Sequence, residues 1–242
     1  MQKFHSKLLN NYPNIFHTFT TKEDGNLAFH VGDEIKNVEK NHERLAKKCG
    51  YKKETVVHMK QIHSNIVKIV DENDNFDNPP TCDALITNKK ETPLMVMVAD
   101  CSPILFYDPE QKVIAVAHAG RAGAFNNIIQ KVLESFVNDF GSKVEDILAV
   151  IGPAICQECY EVGSEIYEEA QKINLTYAFE KKDEKYRLDI RKILRRQLLD
   201  NNIVHKKIEI SQICSLCNEN YFSYRENTQC GRFSGILYQK KQ

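Results

Sequence analysis

A cysteine and a histidine each stand at the end of a short apolar run in the middle of the chain. The runs are residues 94–101 and 113–118, and they end on Cys101 and His118; a second histidine, His63, lies upstream. Buried strands leave the residue at their end little positional freedom, so the three side chains could converge. Zinc prefers nitrogen and sulfur ligands, and three protein ligands leave the open position that is typical of catalytic sites. We therefore predict a metal site of His63, Cys101 and His118.

Two other interpretations use the cysteines differently. Two Cys-X-X-Cys pairs, at positions 156 and 159 and at positions 214 and 217, are 55 positions apart (214 minus 159) and could hold structural zinc if the fold brings them together. Alternatively, Cys101 could act as a nucleophile with His118 or His63 as its base, as in a cysteine hydrolase. Metal content would distinguish these hypotheses.

Two aspartates close to these residues could take part in proton transfer. Asp100 could orient a ligand or act as an acid, although alternation along a strand would direct its side chain away from that of Cys101. Asp83 could act as an acid or base, or it could cap a turn. Both are candidate catalytic residues.

The two apolar runs predict buried strands, and residues 107–112 between them are typical of a hairpin turn. Cys101 and His118 would then leave adjacent strands. The glycines at 120 and 123 precede apolar residues at helical spacing, from Phe125 to Phe136. The amides at such a helix start could bind phosphate between Gly120 and Asn127, or the glycines could simply permit a tight turn.

The rest of the chain alternates predicted helices and strands. Helices are expected at 37–48, ending at Gly50, and at 164–173 and 188–199; strands are expected at 55–58, 66–70, 147–151, 208–213 and 232–238. His63 would lie on or beside a strand. Because no internal repeat or linker is evident, we predict one α+β (mixed α/β) domain over residues 1–242, with mixed β-sheets flanked by helices.

The composition excludes several classes of protein. Lys plus Arg and Asp plus Glu both number 33, and basic residues are not clustered, which argues against nucleic-acid binding. The longest apolar run, residues 94–99, is far shorter than the roughly 20 residues of a membrane span. The first residues lack the apolar core of a signal peptide, so we expect a cytoplasmic protein whose eight cysteines are reduced thiols or metal ligands.

Several motifs resemble those of the laccase-domain family, which was once described as multicopper polyphenol oxidases and is now associated with zinc-dependent purine nucleoside phosphorolysis. The similarity extends from about residue 15 to residue 238. The motifs are Phe29-His-Val-Gly-Asp33, Gln61-Ile-His63, Asp83-Ala-Leu-Ile-Thr87, Ala99-Asp-Cys-Ser-Pro-Ile-Leu-Phe106, His118-Ala-Gly120, Ile151-Gly-Pro-Ala-Ile155, Cys159-Tyr-Glu-Val-Gly163 and Phe222-Ser-Tyr-Arg225.

The resemblance implies a laccase-domain (cytotoxic necrotizing factor-like) fold and a zinc site on His63, Cys101 and His118. It also implies phosphorolysis of adenosine, inosine, guanosine and 5′-methylthioadenosine, together with hydrolytic deamination of adenosine. Purine nucleosides and phosphate would be the partners, with no nucleic acid or membrane and an undefined oligomeric state. Copper-dependent phenol oxidation, the family's older description, and editing of cell-wall precursors remain alternatives.

For this chemistry we expect phosphate contacts from Arg121, Arg225 and the amides near Gly120, and stacking of the base on Tyr224 or Phe222. The chain departs from the family pattern at two points. The family commonly has His-Ala-Gly-Trp-Arg-Gly where residues 118–123 read His-Ala-Gly-Arg-Ala-Gly, and Asn-Arg where this chain has Asn41-His42. Both changes affect the expected substrate contacts more than the metal ligands.

Overall fold

Two β-sheets lie face to face between layers of helices in the computed structural model, which describes residues 3–241. The strands are β1 Ile15–Phe19, β2 Val67–Ile69, β3 Ala84–Thr87, β4 Leu94–Val98, β5 Ser102–Asp108, β6 Val113–Ala119, β7 Leu148–Ile151, β8 Glu161–Val162, β9 Phe179–Lys182, β10 Lys185–Leu188, β11 Ile208–Ile210 and β12 Phe233–Gln239. The α-helices are α1 Ile35–Cys49, α2 Arg121–Phe125, α3 Ile128–Phe140, α4 Ser164–Lys172 and α5 Ile190–Asp200.

The larger sheet has six strands in the order β11-β7-β5-β6-β3-β2. Its centre is antiparallel, and its two outer pairs, β7 with β11 and β2 with β3, are parallel. A three-stranded antiparallel sheet, β1-β12-β4, packs on one face, and a separate small sheet, β8-β10-β9, packs through Leu188 on the core of the opposite face. This arrangement of mixed sheets and helices confirms the predicted α+β class.

The buried side chains form a layer on each side of both large sheets. Between the sheets, Val96 of β4 and Phe233 of β12 pack with Leu105 of β5. The opposite face of the six-stranded sheet is covered by apolar residues of α2, α3 and α5, and the outer face of the three-stranded sheet is covered by α1. Because β5 and β6 are buried on both faces, their sequences are almost continuously apolar instead of alternating.

Most of the predicted elements are present with small shifts at their ends. Helix α1 ends at Gly50, which adopts the left-handed conformation (φ 76°) and donates its N–H to the carbonyl of Ala46, as predicted for a C-terminal cap. The predicted turn at 107–112 closes a hairpin in which Asp108 pairs with Val113, but the first arm of this hairpin is β5 and not the run 94–101.

Three local predictions were wrong. The strand expected over 94–101 ends at Val98, and the next three residues pass from the smaller sheet to the larger one. The helix expected after Gly120 is interrupted, because Asn127 takes a positive φ of 53° and caps a second helix by accepting from the N–H of Gln130. Within 55–58, Val57 makes only an isolated bridge to Leu94.

No helix within residues 3–241 combines the length and the apolar character that crossing a bilayer requires.

Candidate metal centre and its cavity

The side chains of His63, Cys101 and His118 come together at one end of the central strands β5 and β6 of the six-stranded sheet. One ligand atom of each lies within 4.8 Å of the others, and the two imidazole rings meet edge to face with their centroids 4.9 Å apart. His118 is buried, Cys101 is half-buried and His63 is exposed, so the group is open on one side. Two imidazoles and one thiol form the donor set that the predicted three-ligand zinc site requires.

A single carboxylate orients both histidines. Asp83, fully buried at the start of β3, accepts hydrogen bonds from the backbone N–H groups of Ile62 (3.2 Å), His63 (3.1 Å) and Ser64 (2.7 Å). It also accepts from Ser64 Oγ (2.7 Å) and contacts Nδ1 of His118, at 2.9 Å. If that nitrogen carries the proton, Nε2 of His118 presents its lone pair to a metal, which is the usual carboxylate–histidine–metal arrangement.

The side chain of Gln61 also fixes the loop that carries His63. The side-chain amide of Gln61 donates to the carbonyl of Met97 (2.8 Å), and its oxygen accepts from the N–H of the same residue (3.0 Å). His63 itself has a positive φ of 60°, an uncommon conformation that this clamp and Asp83 maintain. The residue therefore lies in a loop before β2, beside the strand and not on it.

Cys101 lies just before β5, where the chain crosses between the sheets. The preceding residue, Asp100, also has a positive φ, 82°. Its carboxylate accepts from Ser215 Oγ (2.6 Å), Ser223 Oγ (3.0 Å) and the N–H of Arg225 (2.7 Å). These three hydrogen bonds occupy the carboxylate, so Asp100 joins two late loops to the Cys101 segment.

Gly120 is required by the close approach of the backbone to this centre. A Cβ atom at position 120 would lie 2.7 Å from Cys101 Sγ and 3.5 Å from His63 Cδ2. Real Cβ atoms do not approach sulfur so closely, so a larger residue would displace the thiol.

The three side chains also shift one another's protonation. Burial opposes ionisation of Cys101, but the neighbouring His118 outweighs it and lowers the pKa of the thiol to about 6. Burial likewise opposes the cationic form of His118, yet Cys101 and Asp83 raise its pKa to about 9. For Asp83, hydrogen bonds from His118 and Ser64 outweigh burial and lower the pKa to about 2. Without a metal these shifts favour a thiolate–imidazolium pair, and a cation bound by Cys101 and His118 would displace the proton of the imidazole.

A cavity of about 680 Å³ opens directly in front of the three ligands. Its volume falls in the range of small-molecule sites. Part of the wall is apolar, from Met97, Val98 and Ile155, and part is cationic, from Arg121, Arg225 and Arg232. The remaining lining residues are His30, Gln61, Ala99, Asp100, Ala119, Gly120, Tyr160, Ile190, Tyr224 and Thr228.

The three arginines are held in place by different contacts. Arg121 pairs with Glu169 (2.6 Å), Arg225 donates to the carbonyl of Glu161 (3.0 Å), and Arg232 donates to the carbonyl of Cys230 (2.6 Å). Each contact leaves further N–H groups of the guanidinium for a ligand, since a guanidinium has five. The cavity can therefore accept an anion beside the metal ligands.

The predicted substrate contacts do not all reach this cavity. Gly120, Arg121, Tyr224 and Arg225 line it, but Phe222 lines a separate cavity beside Asn41 and Arg44. Residues 222–224 are not part of a strand, and between the two aromatic residues the hydroxyl of Ser223 donates to Asp100 at 3.0 Å. Asp83 lies behind the ligands and does not line the cavity.

Other lining residues carried too weak a signal in the sequence to be predicted. Arg232 and Thr228 lie outside the motifs, next to a strand that was predicted only from its apolar content. His30 and Tyr160 lie within the motifs, but a lone histidine or tyrosine is usually structural. Their role as lining residues depends on contacts between distant loops, which local spacing does not encode.

The two departures from the family pattern lie in different places. Arg121 is the first residue of α2 and lines the cavity, so a cation is retained one position earlier than in the family pattern. His42 is buried in α1, bonded through Nε2 to the carbonyl of Leu27 and stacked on Phe29. Position 42 therefore supports the core and does not line the cavity.

The four cysteines of the two Cys-X-X-Cys pairs also form a cluster. Their sulfur atoms lie within 4.8 Å of one another, so the second group of possible metal ligands suggested by the sequence is brought together as well.

Comparison with known proteins identifies relatives over almost the full length of the chain. The purine nucleoside phosphorylase of Corynebacterium glutamicum is 35% identical over 235 residues, which cover 93% of this chain and 94% of that protein. Purine nucleoside phosphorylase YlmD of Bacillus subtilis is 28% identical, over 92% of this chain and 88% of its own. Both relatives are thus named for the same activity.

Solved structures share the fold. YlmD from Geobacillus stearothermophilus superposes with a TM-score of 0.91 at 25% identity, covering 100% of this chain and 98% of that one. The Bacillus licheniformis protein YfiH gives a TM-score of 0.89 at 28% identity, covering 96% and 94%. These matches confirm the predicted laccase-domain fold.

The family model described as multi-copper polyphenol oxidoreductase laccase matches residues 18–240, which agrees with the span of the motifs. The chain therefore belongs to this laccase-like family.

Proposed function

We propose that this chain is a zinc-dependent purine nucleoside phosphorylase that also deaminates adenosine. The observation that carries the proposal is the convergence of His63, Cys101 and His118 on the wall of a cavity that three arginines also line. The relatives named purine nucleoside phosphorylase support the first activity. Adenosine, inosine, guanosine and 5′-methylthioadenosine are the proposed nucleosides.

In phosphorolysis, a phosphate oxygen bonds to the anomeric carbon of ribose while the bond from that carbon to the purine nitrogen breaks. The departing base takes up a proton, and the product is ribose 1-phosphate. The chain must hold an anion and a nucleoside side by side, and it must exclude water as the competing nucleophile. Zinc on His63, Cys101 and His118 would supply a Lewis acid that polarises a reactant oxygen.

Arg121, Arg225 and Arg232 are the proposed phosphate ligands. Arginine binds phosphate oxygens through pairs of N–H groups, which gives both attraction and orientation. The three residues come from α2 and from the chain on either side of position 228, so together they can contact more than one side of the anion. Holding phosphate next to the sugar would remove much of the entropic cost of the encounter.

The apolar residues Met97, Val98 and Ile155 are proposed to cover the nucleoside, with Tyr224 stacking on the base. Tyr224 is 51% exposed, so one face of its ring is available to a ligand. Its neighbour Arg232 lies 5.7 Å from the ring centroid, which links the proposed base and phosphate contacts. The apolar wall would exclude water from the reacting bond.

Incubation of zinc-loaded protein with adenosine, with and without phosphate, tests the proposal. Adenine and ribose 1-phosphate should form only when phosphate is present, and inosine should form in either case. Arg232→Ala should raise the KM for phosphate, whereas His205→Ala, a change at an exposed histidine outside the cavity, should not. No turnover of any of the four nucleosides by zinc-loaded protein would refute both activities.

A cysteine hydrolase is the second candidate, because Cys101 and His118 form a thiolate–imidazolium pair in the absence of metal. Cys101→Ala separates the two functions. For a zinc enzyme, the variant should lose both metal and turnover, while Cys49→Ala, a change in the buried face of α1, should lose neither. Full metal retention with loss of turnover would favour the thiol nucleophile.

A further inference from the structure

Two loops meet at the end of the parallel strand pair β7 and β11. Ile151 of β7 is paired with Ile210 of β11, and beyond the strands Ala154 forms a parallel bridge with Cys214. Because parallel strands end at the same edge of a sheet, the segments that follow them run side by side. Residues 156–159 and 214–217 therefore face each other, although 55 positions separate them (214 minus 159).

Each segment folds into a tight turn that directs two sulfurs toward the other segment. In the first turn, the N–H groups of Cys159 and Tyr160 both donate to the carbonyl of Cys156, at 3.2 Å and 3.1 Å. In the second turn, the N–H of Asn218 donates to the carbonyl of Cys214, at 3.1 Å. The N–H of Cys156 also donates to Cys214 Sγ across the two turns, at 3.3 Å, and such a bond stabilises a thiolate.

The spacing of the sulfurs matches one tetrahedral ion. With Zn–S bonds of about 2.3 Å, neighbouring sulfurs of a tetrahedral site lie roughly 3.8 Å apart. All four sulfurs lie within 4.8 Å of one another, and those of Cys159 and Cys217 are 3.3 Å apart, so the group is compact enough for one ion. Four cysteine ligands leave zinc no open position, which is the pattern of structural sites.

We propose that Cys156, Cys159, Cys214 and Cys217 bind a second, structural Zn²⁺ ion that joins these two loops. Four sulfur ligands in a tetrahedral arrangement select zinc or iron over oxygen-loving cations such as magnesium and calcium.

The proposed ion would stabilise one wall of the cavity. Ser215, between the two cysteines of the second turn, donates to Asp100 Oδ1 at 2.6 Å, and Ile155, next to the first turn, donates its N–H to the carbonyl of Asp100 at 3.0 Å. Asp100 directly precedes Cys101. The two metal groups are thus connected through one residue, and the closed site would hold the loops that support the open one.

Metal analysis of two cysteine variants tests this proposal. Cys217→Ser removes an exposed ligand, so the protein should fold, and it should bind one zinc ion fewer per chain than the wild type after identical reconstitution. The matched control, Cys230→Ser, changes a half-buried cysteine outside both groups and should keep the wild-type zinc content. The difference of one ion is expected whatever the content of the His63 site.

Alkylation and melting provide two independent measurements. Zinc should protect Cys217 from alkylation, and a chelator should make it reactive. The melting temperature of Cys217→Ser should lie about 4 °C or more below that of Cys230→Ser, because the variant loses the stabilisation that a structural ion gives to the folded state. Equal zinc content in the wild type and Cys217→Ser would overturn the proposal. A disulfide between Cys159 and Cys217 that persists after treatment with reductant and zinc would also overturn it. So would iron bound at the four cysteines in place of zinc.

Discussion

At the scale of single residues, Asp83 orients the metal group although it lies behind the cavity. It binds the N–H groups of the His63 loop and Nδ1 of His118 at the same time. We expect Asp83→Asn to weaken zinc binding by roughly 10- to 100-fold, because an amide replaces one acceptor oxygen with a donor and loses the negative charge that polarises the imidazole. Zinc affinity measured by competition with a chromophoric chelator is the appropriate assay.

Asp108→Asn is the matched control for this substitution. Asp108 is as buried as Asp83 and also accepts backbone N–H groups, but it lies in the hairpin turn at the opposite end of β5. Its variant should bind zinc as the wild type does. If Asp83→Asn also retained wild-type affinity, the carboxylate would have no role in orienting the ligands.

Gly120 offers a second prediction, based on space instead of charge. Overpacking typically costs about 1–3 kcal/mol, and if that cost falls on the metal-bound arrangement, Gly120→Ala weakens zinc binding by roughly 5- to 150-fold. The added Cβ would displace Cys101 Sγ, 2.7 Å away. Gly32→Ala is the control, because its Cβ would meet only Gln229 Oε1, at 3.5 Å. Equal zinc affinities of the two variants, measured by the same competition, would contradict this explanation.

At the scale of elements, the strands and helices with strong hydrophobic patterns were predictable from the sequence. The apolar runs of β4 and β6 indicated buried strands, and residues 107–112 indicated a hairpin turn, but β5, which pairs with β6 across this turn, was not predicted. The cap at Gly50 was predictable for the same reason, since a glycine ends the periodic pattern of α1. These patterns are local in the sequence, so they can be recognised without knowledge of the fold.

The breaks in elements were not predictable, because tertiary contacts decide them. Residues 94–101 are apolar enough for one long strand, but β4 and the next strand belong to different sheets, and Asp100 turns the chain with hydrogen bonds to distant serines. The interruption before α3 depends on Asn127, whose capping role is hidden within an apolar pattern. The candidate metal ligands were recognisable by residue type and their convergence was predicted, but the loops that bring them together were not.

Helix α1 gives a prediction about pH. Burial lowers the pKa of His42 to about 4, whereas the unfolded chain has a histidine pKa of about 6.5. Between these values the unfolded state binds more protons, so the free energy of unfolding should fall as the pH decreases. From pH 7.5 to pH 5 the contribution of His42 is a loss of roughly 2 kcal/mol.

Urea unfolding of the wild type and of His42→Gln at several pH values tests this prediction. The variant cannot titrate at position 42, so its stability should decline less over the same interval. His205→Gln, at an exposed histidine, should show the same pH dependence as the wild type. Parallel curves for the wild type and His42→Gln would mean that His42 does not stay neutral in the folded protein.

At the scale of the whole molecule, the candidate metal group lies where three parts of the fold meet. His63 precedes β2 at one edge of the larger sheet, Cys101 lies where the chain crosses between the two sheets, and His118 ends a central strand. An ion bound by all three would therefore connect the loop, the crossover and the sheet. Because the unfolded chain cannot hold these ligands together, binding should stabilise the folded state.

Removal of metal should consequently lower the melting temperature of the protein. At a free zinc concentration of 1,000 times the Kd, binding to the folded state contributes about 4 kcal/mol. For a chain of this size that corresponds to roughly 8–16 °C. The melting temperature is measured by calorimetry for protein at this zinc concentration and for protein with excess chelator. The same comparison is made with Cys217→Ser, which lacks a ligand of the cysteine cluster. A zinc-dependent rise in the melting temperature of this variant would come from the His63 group. No such rise would show that the His63 group does not bind zinc.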